Sequence, residues 1–190
     1  MLRVSSKIKI GSEQPQDEAS LAQAWRAAIT RQDIAHELEA VYAQVSADIA
    51  ARGPACWASG RCCNFEKTGH RLYVTGLEAA YALRNGPQVI VADRVINTGL
   101  SLPQIADARA SGGCPFQVDN LCGIHSVKPL GCRVYFCDRS ATEWQADLTE
   151  KSLREIRAIH DRHHIPYRYG EWRTMLEHLS TTQILSLIHI

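Results

Sequence analysis

Apolar residues recur at helical spacing over much of the chain. A helix is predicted from Asp17, with Ala19 to Ile29 alanine-rich and Trp25 and Ile29 four apart. Thr30 with Asp33 reads as a capping box with the shorter acid, which would start a second helix there. Ile34, Leu38, Val41, Tyr42, Val45 and Ile49 mark one face of that helix, read as a packing face, and Gly53-Pro54 ends it. A short strand is predicted over Arg71–Thr75. Thr75 with Glu78 is a capping box for a helix to about Arg84, closed by Asn85-Gly86. Val89, Ile90 and Val91 fit either a short buried strand or part of a helix. Ser101 caps a predicted helix from Leu102 to Arg109. Asp119-Asn120 is a predicted turn. Ser140 with Glu143 opens a long helix with Trp144, Leu148, Ile156 and Ile159 near one face, stopped by Pro166. A last helix is expected from Glu171 to about Leu179. Leu185-Ser-Leu-Ile-His-Ile190 reads equally as a helix tail or as translated sequencing-adapter DNA, and no function is drawn from it.

The expected fold is mainly α with a small irregular or β element, its helices flanking a cysteine-rich metal-binding centre. Residues 1–16 are polar and expected to be loose within a helical extension over 1–53. Residues 54–140 form the cysteine region, and 141–190 supply helices that pack on the same domain.

Composition narrows the functional classes. A net charge of +1, from 21 basic and 20 acidic residues, calls for neither nucleic acid nor a membrane surface as partner. No apolar run of signal-peptide or membrane-spanning length is present, so a cytoplasmic location is expected. Thiols stay reduced in that compartment, and seven cysteines cannot all pair within one chain.

Those seven form two groups: Cys56, Cys62 and Cys63, then Cys114, Cys122, Cys132 and Cys137. Several soft thiolates converging on one point suit zinc or an iron–sulfur cluster. Glycine and proline stand where a loop must fold tightly around an ion: Gly60, Gly113-Cys114-Pro115, Cys122-Gly123 and Pro129-Leu-Gly131-Cys132. Four thiolates leave such a centre with about two negative charges by formal counting. Arg61, Lys128 and Arg133 are candidates to offset them, or are solvated surface charges. The alternatives for the cysteines are redox or disulfide chemistry and inert packing.

The first group reads Cys56-Trp-Ala-Ser59-Gly60-Arg-Cys62-Cys63. The second reads Cys114-Pro-Phe, then Leu121-Cys122-Gly-Ile-His125-Ser-Val-Lys128-Pro129-Leu-Gly-Cys132-Arg133, then Phe136-Cys137. Together, over about residues 56–138, these segments resemble the CxxCxxCC (YkgJ-type) cysteine cluster family, described as zinc- or iron-chelating. The resemblance implies all seven cysteines as metal ligands. Ser59 stands where that pattern has a cysteine, which leaves one four-sulfur site and three sulfurs for a weaker or open one. A related cluster occurs in a flagellin lysine methylase, but nothing here reads as a methyl-donor site.

Three functions follow: a structural or carried metal, a small iron–sulfur redox enzyme, or an interaction module shaped by a structural metal. His125, inside the second group, is a candidate nitrogen ligand, read first as a neighbour of the cluster. His70 is read as structural. His160, His163 and His164 share a helical face but stand in a last turn, where cationic side chains favour the helix dipole. No Ser/His/Asp set, phosphate loop, H-E-x-x-H or G-x-G-x-x-G motif is present.

Overall fold

A computed structural model describes residues 17–54, 60–86, 88–91, 94–97, 100–135 and 141–188, by backbone alone for 88–91, 94–97 and 182–188. The chain opens with two helices, α1 (Glu18–Thr30) and α2 (Gln32–Arg52). Asp17 caps α1 by accepting from the Ala19 N–H at 3.4 Å. The capping box expected at Thr30 and Asp33 does not form. The Thr30 hydroxyl donates to the Ala27 carbonyl inside α1, and Asp33 pairs with Arg31 at 2.5 Å. Arg31 itself, in extended backbone, makes the break. The predicted stripe of α2 is buried from Ile34 to Val45 and half-buried at Ile49, and Gly53 ends the helix in the left-handed conformation.

Then come α3 (Phe65–Thr68), β1 (Tyr73–Thr75) and α4 (Gly76–Asn85). Thr75 and Glu78 make the predicted capping box. β2 (Gln88–Val91) pairs antiparallel with β3 (Arg94–Asn97), which decides Val89–Val91 in favour of a strand. α5 (Leu102–Ala110) starts at a Ser101–Gln104 capping box. β4 (Gln117–Val118) and β5 (Leu121–Cys122) form a small hairpin, followed by α6 (Leu130–Arg133) and α7 (Thr142–Arg162). Ser140, the predicted cap of α7, lies outside the described residues. β6 (Tyr169–Glu171) pairs antiparallel with β1, and α8 (Trp172–Ile188) runs nine residues past the Leu179 end expected for it. Glu171 caps α8 by accepting from the Thr174 N–H at 3.0 Å.

α4 lies at the centre. Its alanines at 79, 80 and 82 are buried and small enough for α1 and α8 to pack close to it, while α2 packs on α7. One core cluster runs through all of them, with Trp25 and Trp172 fully buried. The Trp25 indole donates to the Pro166 carbonyl at 2.7 Å, and Arg26 donates twice to the Leu179 carbonyl, at 3.2 and 2.8 Å. These bonds satisfy polar atoms that would otherwise oppose burial. Among the described residues no helix is long and apolar enough to cross a membrane.

α7 ends four residues before Pro166 and is followed by a left-handed turn on His164 (φ +53°). Beneath it His160 is buried, with Nδ1 3.3 and 3.1 Å from the Ile165 and Pro166 carbonyls and, among the described residues, no partner on Nε2. Burial holds its pKa below the usual histidine value, the carbonyls only partly opposing it. The unfolded imidazole takes a proton near pH 6.5. The stability this group contributes is therefore present above that pH and lost as pH falls toward the lower folded value, by at most about 1.4 kcal/mol per pH unit. Denaturant midpoints between pH 7.5 and 5.5 should fall less in His160→Asn than in the wild type. Equal slopes would refute this account.

Candidate metal centre

Three segments carry the described cysteines to one place. Cys62 and Cys63 lie in a 3₁₀ turn, Arg61–Cys63. Gly60 begins it at φ +68°, and a Cβ there would sit 2.3 Å from the Asn120 carbonyl oxygen. Only glycine tolerates both that conformation and that approach. The turn thus rests on the β4–β5 hairpin, held by the Gln117 side chain, which donates to the Gly60 carbonyl at 3.1 Å. The predicted Asp119-Asn120 turn is present, both residues at positive φ (48° and 62°), the geometry that matches strand twist in a two-residue hairpin. Pairing sets Gln117 opposite Cys122, and the Cys114 N–H donates to the Cys63 carbonyl at 2.8 Å.

Cys132 arrives on α6. Gly131 lets that helix lie against β1, since a Cβ there would fall 2.6 Å from Leu72 Cδ1. Glu78 fixes its start. The buried carboxylate accepts from the Leu130 N–H at 2.8 Å and the Tyr42 hydroxyl at 3.3 Å on Oε1, and from the Thr75 N–H at 2.9 Å and the Thr75 hydroxyl at 3.0 Å on Oε2. Burial raises its pKa while these four donors work the other way, each favouring the ionised form.

The five described cysteines are free thiols. Cys63 is their hub, hydrogen-bonded to Cys114, Cys122 and Cys62. Those contacts push the Cys63 thiol up and pull its partners down. Cys62 and Cys122 each fall to about 6, first through Cys63 and further through the charge of Lys128. Cys114 is also lowered, by Cys63 first. The Trp172 indole N–H, buried without an oxygen or nitrogen partner among the described residues, is a hydrogen-bond partner of the Cys114 sulfur. Cys132 is pushed up, first by burial and then by repulsion from Cys114, Cys122 and Cys62. The result is a small volume with several sulfurs inclined to ionise. A soft cation relieves that repulsion, so the donor set fits a thiolate-bound metal. Among the described residues no three or more His, Cys, Asp or Glu side chains already stand as a ligand shell. The thiols bond to one another through Cys63 instead.

Cys56, Ser59 and Cys137 lie outside the described residues. Of the predicted charge-offsetting cations, Lys128 acts on Cys62 and Cys122, Arg133 feels the charge of Cys132, and Arg61 is exposed. The histidines have partners elsewhere. Lys128 Nζ lies 3.2 Å from His125 Nε2, and the Thr68 hydroxyl 2.7 Å from His70 Nδ1. His163 Nε2 lies 2.8 Å from Glu37.

Sequence reasoning missed Trp172 and the second role of Glu78. It also missed a cavity of about 270 Å³ into which Cys62 and Cys132 open. Its walls include His70 stacked on Tyr135 at 4.7 Å and Tyr73 stacked on Tyr169 at 5.9 Å. Glu78 carried a signal, as an acid within the apolar run Leu77–Leu83; the cavity carried none, because its walls come from three distant segments. Comparison with protein-family models, characterised proteins and solved structures finds no match for this chain.

Proposed function

We propose that the protein holds a thiolate-bound metal, zinc or an iron–sulfur cluster, whose role is mainly structural or metal carriage. The observation that carries this reading is the meeting of Cys62, Cys63, Cys114, Cys122 and Cys132 from three chain segments, with Cys63 bonded to three other sulfurs. Inert packing does not account for five thiols gathered from three segments, three of them with their pKa lowered through Cys63. The reading agrees with the resemblance of residues 56–138 to the CxxCxxCC family, and with a cytoplasmic setting that keeps thiols reduced. A bound metal supplies a cross-link between the Arg61–Cys63 turn, the β4–β5 hairpin and α6.

A second reading, a small iron–sulfur redox enzyme, is favoured by the cavity at Cys62 and Cys132. A purely structural site is closed on all sides, whereas a reactive one keeps an open position. Anaerobic purification followed by metal analysis and an absorption spectrum tests both. Stoichiometric zinc in a colourless protein selects the structural reading. Iron with a broad band at roughly 400 nm selects the cluster. Protein purified anaerobically without metal, and taking up neither zinc nor iron on reconstitution, would overturn the proposal.

A further inference from the structure

Tyr135, which lines the cysteines' cavity, also lines a second one of about 360 Å³. Lys128 and Arg133 line it, and no carboxylate does among the described residues. Lys128 lies against His125 Nε2, and two of its three N–H bonds remain for a ligand. Arg133 donates to the Ser126 carbonyl at 2.8 Å and lays its guanidinium 4.1 Å over the Tyr42 ring. Glu78 acts on it only through space, and neither cation forms an ion pair among the described residues. The remaining wall is mixed, with Ile49, Pro54 and Tyr135 apolar or aromatic and Ser46, His125 and Ser126 polar.

Two cations lining one cavity, neither in contact with a carboxylate among the described residues, match a dianion better than a single carboxylate. An apolar wall beside them matches an organic body attached to that dianion. We propose that this cavity binds the phosphate group of a small phosphate monoester, with its apolar part against Ile49, Pro54 and Tyr135. The site goes beyond the metal reading and does not depend on which metal is bound. Offsetting the charge of the cysteines would employ Lys128 and Arg133 through space, but would leave the apolar wall without a purpose.

The test is calorimetric titration of the protein, as purified with its metal, with phenyl phosphate and with inorganic phosphate. Saturable binding at one site is expected, tighter for phenyl phosphate and weakened by salt. Lys128→Gln should weaken it about tenfold, the loss of one charge-assisted contact. Ser46→Asp, which puts a negative charge in the wall far from any cysteine in sequence, should weaken it at least as much with metal content unchanged. Lys151→Gln, at a different surface cavity, should change nothing. No saturable binding at millimolar ligand, or full affinity in Ser46→Asp, overturns the proposal while leaving the metal reading intact. If Lys128→Gln also loses metal, the Ser46→Asp result decides.

Discussion

Cys63→Ser should lose most of the bound metal, while Cys62→Ser loses less. Cys63 is bonded to Cys62, Cys114 and Cys122, so its replacement removes the one sulfur that all three share. Cys62 is bonded to Cys63 and otherwise faces the cavity at Tyr73 and Tyr169. Serine keeps the shape and removes the soft donor. Structural zinc contributes on the order of 10–16 kcal/mol to a folded domain. Shared among four sulfurs, one ligand is worth about 3 kcal/mol, or on the order of a hundredfold in affinity. Metal retained after dialysis against a graded chelator series should therefore rank wild type above Cys62→Ser above Cys63→Ser. Removing all metal should expose Lys128 and the hairpin to trypsin while α1, α4 and α8, which pack on one another through buried residues such as Trp25, Leu77 and Leu176, resist. If Cys63→Ser keeps full metal occupancy, or metal-free protein digests no faster at 111–135, the cluster does not hold these segments together.

Most of the helical framework was legible because it rests on local rules. Two capping boxes, at Thr75 and Ser101, and the Ile34–Val45 stripe depend on residues within a turn or two of each other. The box at Thr30 failed because Arg31, between its members, captured Asp33. β3 and β6 were missed for another reason. Each is at most four residues long and exists only through a partner strand, which for β6 lies almost a hundred residues upstream. The cysteines themselves were legible as a set. Their arrangement around Cys63 was not, because it follows from two close approaches, Gly60 on Asn120 and Gly131 on Leu72, that no spacing rule encodes. Glu78 shows the same division. Its bond to Thr75 is local and was anticipated, whereas its bond to Leu130 spans 52 residues.

That longer bond makes Glu78→Gln a severe substitution despite its matched shape. Each carboxylate oxygen accepts from one backbone N–H, Leu130 on Oε1 and Thr75 on Oε2. The hydroxyls of Tyr42 and Thr75 can rotate to accept instead, but a backbone N–H cannot. Whichever way a glutamine turns, its amide nitrogen meets one of these fixed donors, and a buried N–H loses its acceptor. The cost of such a group is about 1–3 kcal/mol. At about 2–4 °C per kcal/mol for a chain of this size, the melting midpoint should fall by roughly 2–12 °C. Glu78→Ala strands all four donors and removes the charge that Glu78 exerts on Arg133 through space, so a loss of about 3–5 kcal/mol is expected. Tyr42→Phe removes only the longest bond, at 3.3 Å, and should cost about 1 kcal/mol or less. The order matters for the metal as well. Leu130 begins the helix that carries Cys132, so Glu78→Gln should lower metal retention while Tyr42→Phe leaves it unchanged. A Glu78→Gln protein that melts with the wild type would mean that the carboxyl is protonated and already lives with such a clash, and the buried charge assigned to α4 would have to be withdrawn.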